Sequence, residues 1–482
     1  MRRLSITALP DLPPEVVRPG YELPDTEIGI VHIGPGAFHR VHQAMYVDDL
    51  LAADPEWAIC GVSLHSATVR DALAPQDNLY TVAQLGELTS LRVIGSIREL
   101  LHAPSQQNAV LERLADPAVR LVTLTITEKG YCLNGEDLDV AHADIAHDIA
   151  SPAAPRSAIG CITAGLAARR AQGHQPYTVL SCDNLSGNGH RLRRATIQFA
   201  ARIDPALAKW IEAEVAFPCS MVDSITPATD DVLRERVAAE LGCRDAWPVQ
   251  REAFTQWVIE DRFCNERPAL EFAGAVLTSN VAGYESAKLR LLNGAHSTLA
   301  WLGSLMGLAT VGDAMATPLA AFVERLMRES IAPVVALPDG LDVGMYIDDI
   351  LNRFRNPAIQ HKLSQICWDS SQKLPVRLLS TVSDALAQRR DIAPLCLSIA
   401  GWMCFVRRQS QSGVALEDPL NDALTAIGRA CNGDATHDVA DFLKLDAVFG
   451  PLARDERFAA ALRVAYSALG TGSPDALAGV IQ

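Results

Sequence analysis

The chain has 482 residues, a formal net charge of -15, 49% hydrophobic and 21% charged residues. At roughly 150 residues per domain, this length predicts two or three domains with a full core. The acidic balance excludes the basic footprint that nucleic-acid binding needs, and no apolar run is long enough to predict a membrane span.

The opening stretch, MRRLSITALPDLPPEVV, lacks the continuous apolar core of a secretory signal. The eleven cysteines are scattered, with no CxxC pair and no Cys/His cluster. That usage fits small buried thiols in a reducing cytoplasm better than a disulfide framework or a structural zinc. A cytoplasmic location and no metal site are expected.

In chain order, Ile28 to Ile33 (IGIVHI) is an apolar, β-rich run ending in glycine. Trp57 to Leu64, Leu121 to Ile126 and Tyr177 to Cys182 are further runs of this kind, with helical patterns between them at Val41 to Ala53 and Ala158 to Gln172. Strands separated by helices predict βαβ units and a parallel sheet covered on both faces. From about Tyr284 onward helical periodicity takes over: Glu285 to Met306, Pro318 to Arg328, Leu378 to Arg390, Ile392 to Arg408 and Arg457 to Leu469. The fold class is therefore α/β: a Rossmann-type domain with a parallel-rich sheet over 1–280, followed by a mostly α-helical domain over 281–482.

GPGAFHR follows the first strand directly. A glycine pair between strand and helix lets backbone N–H groups approach a pyrophosphate at a helix N-terminus. Gly34, Gly36, Ala37, Phe38 and Arg40 are the candidate cofactor-binding residues. The third glycine of a dinucleotide fingerprint is replaced by His39. An acid at the end of the second strand normally accepts the ribose hydroxyls. Here that end reads Ser63, Leu64, His65, Ser66, which leaves both NAD and NADP open. His32, His39, His42 and His190 are read as turn, helix or packing residues.

YESAKLRLLNGAHS supplies Glu285, Lys288, Asn293 and His296. On an α-helix at about 100° per residue, Glu285, Lys288, Leu292 and His296 fall along one stripe, and Asn293 lies about 60° from His296. Such a set suits alcohol oxidation. Hydride leaves a carbinol carbon as the hydroxyl proton departs, and a desolvated lysine can take that proton. An amide N–H can stabilise the developing alkoxide. The same spacing also describes a solvated Glu–Lys pair beside a capping asparagine.

The stretch resembles the mannitol dehydrogenase family, the polyol-specific long-chain dehydrogenases, in which K-x4-N-x2-H matches Lys288, Asn293 and His296. IVHIGPGAFHRVHQAMYVDDLL looks like that family's cofactor-binding opening. SCDNLSGNG resembles its strand-end motif, with Asn184 at the oxyanion position. FPCSMVDSITP is similar to its signature, with Asp223 matching the substrate-contacting acid, and QWVIEDRF, with Trp257 and Glu260, also fits. The resemblance covers most of the chain. It implies a two-domain enzyme with the active site between the domains and no metal. Lys288 would be the general base, Asn184 and Asn293 would hold the oxygen, and Glu285 would relay protons.

Two departures bear on the substrate. Ser224 stands where the family signature has arginine, and Gln365 stands where mannitol-oxidising members tend to have arginine. Lys373 matches a substrate-binding lysine, and QKLPVRLL looks more like the fructuronate reductase (mannonate oxidoreductase) branch. A carboxylate substrate wants a cation, which Lys373 or Arg377 would supply. The expected partner is a small polyol or sugar acid. A hexonate of the mannonate–fructuronate type is slightly favoured over mannitol or another polyol such as arabinitol, and a non-catalytic sugar- or nucleotide-binding protein is the remote alternative. Nothing in the sequence calls for a second subunit, so a monomer is compatible.

Overall fold

The computed structural model describes residues 1–86, 88–470 and 474–481. The chain forms two compact units, Met1–Ala282 and Gly283–Gln482.

The N-terminal unit is built on a five-stranded parallel sheet of β1 (Ile28–Ile33), β2 (Ala58–Ser63), β3 (Ile97–His102), β4 (Leu121–Leu124) and β5 (Thr178–Ser181). Its spatial order is β3-β2-β1-β4-β5, the strand order of a Rossmann sheet. Side chains alternate along a strand, so each apolar run feeds two cores. Val31, Ile33, Val62, Val122, Leu124 and Val179 point into one core, with Ile159, Ile162 and Phe199 of the covering helices. Ile30, Ile59, Leu121 and Leu180 point into the other, with Tyr46, Leu50 and Trp257.

The predicted helix at Ala158–Gln172 is present with those bounds, capped by Ser157 accepting from the Gly160 N–H and closed by Gly173. The one expected over Val41 to Ala53 begins earlier. It consists of α1 (Ala37–Val41) and α2 (Gln43–Leu50), with a break at His42 (φ −121°, ψ −94°). β3 was not among the predicted strands. Its sequence IRELLH carries Arg98 and Glu99 on a sheet edge, so the apolar signal is diluted. Also outside the sequence reading is a small sheet of Val249–Glu252, Tyr80–Leu85 and Ser90–Ile94. A third sheet pairs β6 (Ser220–Asp223) antiparallel with β7 (Gln256–Glu260), placing Val222 opposite Trp257 and Asp223 opposite Gln256.

The C-terminal unit is helical, with no strand among its described residues. Its centre is a helix over Ala393–Gln411 that packs against helices Gly294–Leu305 and Glu456–Leu469. Trp402 is fully buried there and meets Trp301, Phe442 and Phe449. Among the described residues no helix is long and apolar enough to cross a membrane.

The stretch expected as one α-helix from Glu285 to Met306 is in fact three pieces: Val281–Ala287 (α), Lys288–Asn293 (π) and Gly294–Leu305 (α). Two more π turns occupy Leu326–Ile331 and Pro375–Leu379. In the last, Pro375 has no N–H to give and its ring crowds the preceding turn, which favours the wider winding.

Candidate active site

In the N-terminal unit β1 runs into Gly34, whose φ is +94°. A Cβ there would stand 2.2 Å from the Thr125 carbonyl oxygen, so the fold itself requires glycine. Gly36 differs. It is exposed with φ −72°, and a Cβ would meet only the Gly34 carbonyl oxygen, at 3.9 Å. Among the described residues that oxygen alone comes within 4 Å of such a Cβ, which suits the close approach of a pyrophosphate to backbone N–H groups. Ala37 and Phe38 are half-buried beside it.

A groove of about 360 Å3 opens here, lined by Gly34, Leu64, His65, Ile126, Thr127 and Lys129 among others. These residues follow the C-terminal ends of β1, β2 and β4, the side on which open α/β sheets bind ligands. The glycine cradle and the Lys129 cation fit a dinucleotide.

Arg40 does not belong to that cradle. It is fully buried, its Nη1 donates to the Trp247 carbonyl at 2.8 Å, and its guanidinium lies over the Tyr80 and Trp247 rings. Burial lowers its pKa to about 10. Four residues beyond Gly36, one helical turn carries the side chain inward, a direction the motif alone does not encode. His39 is also buried and stacks on His32, with ring centroids 3.4 Å apart. His32 in turn bonds Thr123 Oγ1 at 2.7 Å and the Gly34 carbonyl at 3.1 Å. Burial lowers its pKa to about 3, so this pair is a neutral brace under the glycine loop.

β5 ends in Ser181 and leads to Asp183 and the exposed Asn184. Asn188 anchors the segment. Fully buried, its Nδ2 donates to the Ser220 carbonyl at 2.9 Å and its Oδ1 accepts from the Ser220 N–H at 3.0 Å. Asp223 is buried at the end of β6. Ser224 Oγ donates to the Phe254 carbonyl at 3.1 Å, so the missing arginine is replaced by a short side chain satisfied by backbone. Glu260 accepts from the Cys219 N–H at 2.9 Å, and Trp257 is core.

In the C-terminal unit Lys288 is 8% exposed, a depth rare for lysine. Lys288 and Asn293 open and close the π turn. In an α-helix they would lie about 140° apart. Closing hydrogen bonds five residues on brings positions i and i+5 closer to one line, so the π turn narrows the angle between the lysine and the amide positions. Gly294 lets the π turn at Pro375–Leu379 approach, since a Cβ there would already be 3.1 Å from the Arg377 carbonyl oxygen. Arg377 reaches back, its Nη1 donating to Ser297 Oγ at 2.9 Å and to the Asn293 carbonyl at 3.5 Å.

His296 packs on Phe354 (5.3 Å) and His361 (5.4 Å), and its Nε2 is buried without a hydrogen-bond partner. Its pKa lies well below the usual histidine value, first through burial and then through His361, Arg377, Arg353 and Lys373. His296 is therefore a neutral imidazole in cationic surroundings. Lys373 donates its Nζ to the Trp368 carbonyl and, at 3.3 Å, to that of Ile366; the expected substrate cation is engaged with its own loop. Gln365 is exposed.

The chain matches the family model of the mannitol dehydrogenase Rossmann domain over residues 28–272 and that of the mannitol dehydrogenase C-terminal domain over residues 280–470. The chain belongs to the mannitol dehydrogenase family. D-mannonate oxidoreductase of Escherichia coli is 40% identical to it, covering 96% of this chain and 98% of that protein. Mannitol 2-dehydrogenase of Cereibacter sphaeroides is 41% identical, covering 94% and 96%. Among solved structures, Pseudomonas fluorescens mannitol 2-dehydrogenase in ternary complex with NAD and D-mannitol is 38% identical (TM-score 0.79, 99% of each chain). Substrate-free D-sorbitol dehydrogenase is 32% identical (TM-score 0.93, 98% of this chain and 99% of that one).

Within this mannitol dehydrogenase family chain the residues that sequence reasoning missed are Arg353, Phe354 and His361, which surround His296. They lie in a separate helix and the loop after it, outside any motif. An arginine in the last turn of an amphipathic helix reads as a solvated cation, and only its 8% exposure shows otherwise. Among the described residues no group of three His, Cys, Asp or Glu side chains is arranged to hold a metal ion.

Proposed function

We propose that this chain is an NAD-dependent oxidoreductase that interconverts a secondary alcohol and a ketone of a sugar acid or sugar alcohol. In this reading the N-terminal unit binds the dinucleotide and the C-terminal unit carries the base. The glycine loop at Gly34 and Gly36 would hold NAD, which would supply the hydride acceptor for the carbinol carbon. Lys288 takes the hydroxyl proton; Asn184, Asn293 and the neutral His296 donate to the oxygen as it gains negative charge. Glu285 passes the proton on towards solvent. The observation that carries this reading is the C-terminal cluster: a buried lysine, an asparagine at the other end of the same π turn, and a buried imidazole nitrogen without a protein partner. A cytoplasmic setting fits the eleven cysteines, none of which is in a disulfide.

The substrate reading leans to a hexonate of the D-mannonate/D-fructuronate type. Its support is the accumulation of Arg353, Lys373 and Arg377 about His296, together with the likeness to D-mannonate oxidoreductase. A desolvated carboxylate gains most from such a set. A hexitol is the second reading, favoured by the likeness to D-sorbitol dehydrogenase.

The test is turnover of mannonate, altronate, mannitol, sorbitol and arabinitol, each with NAD and NADP. Robust mannitol oxidation with no activity on mannonate decides for the hexitol reading. Arg377→Ala and Lys373→Ala should raise the KM for a hexonate about tenfold or more, the worth of a charged hydrogen bond, and change the KM for a hexitol far less. Equal effects on both substrates would remove the carboxylate assignment.

The lysine-base reading needs no metal. Activity is expected to survive prolonged EDTA treatment; loss that zinc restores would overturn the mechanism.

A further inference from the structure

The loop after β4 carries a backbone conformation that its sequence does not favour. Thr127 has φ +61° and ψ +165°, a region populated essentially by glycine and strained for a β-branched residue. Thr127 also lines the groove, together with Ile126 and Lys129. Something must hold it there. The Asp183 carboxylate accepts from the Thr127 N–H at 2.8 Å (Oδ1), the Ile126 N–H at 3.0 Å (Oδ2) and the Tyr131 hydroxyl at 2.7 Å (Oδ2). Charge-assisted bonds of this kind are about twice as strong as neutral ones.

The same segment is tied on its other side. The Thr125 hydroxyl donates to the Gly34 carbonyl at 2.8 Å, and the Thr125 carbonyl lies against Gly34 Cα closely enough to bar any side chain. The connection therefore runs from the glycine loop through Thr125 and the strained Thr127 to Asp183. Asp183 immediately precedes Asn184, and Asn188 fixes the end of that turn.

We propose that Asp183 is a positioning residue: it clamps Thr127 in its strained form, so giving the dinucleotide groove its shape, and ties that groove to the turn bearing Asn184. This inference rests on the reading of the groove as the dinucleotide site. Asp183 itself touches neither substrate nor cofactor in this scheme. Its effect passes through the conformation of residue 127, which a glycine at 127 would adopt without a clamp.

The test measures the NADH dissociation constant by fluorescence titration, with kcat and melting temperature in parallel, on wild type, Asp183→Ala, Thr127→Gly and the double variant. Asp183→Ala should weaken NADH binding by about tenfold or more, the order expected for losing a charge-assisted clamp. Thr127→Gly alone sets the reference affinity of a groove whose residue 127 needs no clamp. The double variant should regain most of the lost affinity, because glycine at 127 removes the strain that the clamp opposes.

Unchanged NADH affinity in Asp183→Ala overturns the proposal. So does weakened binding that Thr127→Gly fails to restore, since Asp183 would then act by direct contact or general stabilisation. If Asp183→Ala does not fold, Asp183→Asn, which turns an amide N–H towards backbone donors, carries the same comparison. A wild-type chain that binds neither NADH nor NADPH sinks the cofactor reading itself, an outcome distinct from normal binding in wild type and Asp183→Ala alike.

Discussion

Replacing Lys288 with alanine should lower turnover by about 10²- to 10⁴-fold, the usual worth of a positioned acid–base group, while NADH affinity stays within about twofold of wild type on the same reasoning. A secondary alcohol is about as weak an acid as water, so the proton needs a placed acceptor. His296 is not that acceptor. Burial and the cations about it hold its pKa well below the histidine norm. A depressed histidine pKa means the neutral form persists from neutral pH down through the ordinary titration range. His296 therefore donates one N–H at any working pH, and contributes no acid limb near pH 6. The wild-type oxidation rate should fall as pH drops, because a protonated ammonium cannot accept a proton. That limb should flatten in Lys288→Ala and stay in His296→Ala, and an added primary amine should restore part of the lost rate. Near-wild-type turnover in Lys288→Ala, with an unaltered pH profile, would move the base elsewhere.

Gly36→Val should abolish tight dinucleotide binding and leave the fold standing. A Cβ at Gly36 would meet only the Gly34 carbonyl oxygen, at 3.9 Å, and φ −72° is allowed for valine. The new methyl groups occupy the space through which phosphate oxygens would reach the backbone N–H groups. Losing two such charge-assisted bonds at roughly 1.5–3 kcal/mol each weakens binding by about 10²-fold or more. Gly34→Ala makes the contrasting case. Its Cβ would stand 2.2 Å from the Thr125 carbonyl at φ +94°, so the loop must shift and stability should fall by about 2 kcal/mol or more. Calorimetric titration with NADH and thermal melting separate the two variants. Wild-type NADH affinity in Gly36→Val would mean that the pyrophosphate lies elsewhere.

The parallel sheet was legible in the sequence because its strands are buried on both faces: IGIVHI, LVTL and TVLS are mostly apolar and buried at successive positions, and alternation sends neighbours to opposite cores. The glycine loop was legible because its chemistry is local, and the Lys288–Asn293–His296 spacing because it lies within one segment. What only the tertiary structure decided depends on neighbours remote in the chain. The π turn at Lys288–Asn293 is packed against the one that Pro375 opens, and α periodicity in the sequence gives no sign of it. Arg40 is a candidate cofactor-binding residue by its motif, and the Trp247 carbonyl and the Tyr80 ring, both distant in sequence, hold its side chain inside. Lys373 keeps its motif position, yet two of its three N–H donors go to the carbonyls of Ile366 and Trp368. Thr127 is an ordinary strand-end threonine by sequence, and its left-handed backbone exists because Asp183, on a different strand end, accepts its N–H. A hydrophobic pattern sets which face of an element is buried. Where a polar side chain ends, and which backbone must yield to it, depends on donors and acceptors that only the folded chain brings within hydrogen-bonding distance.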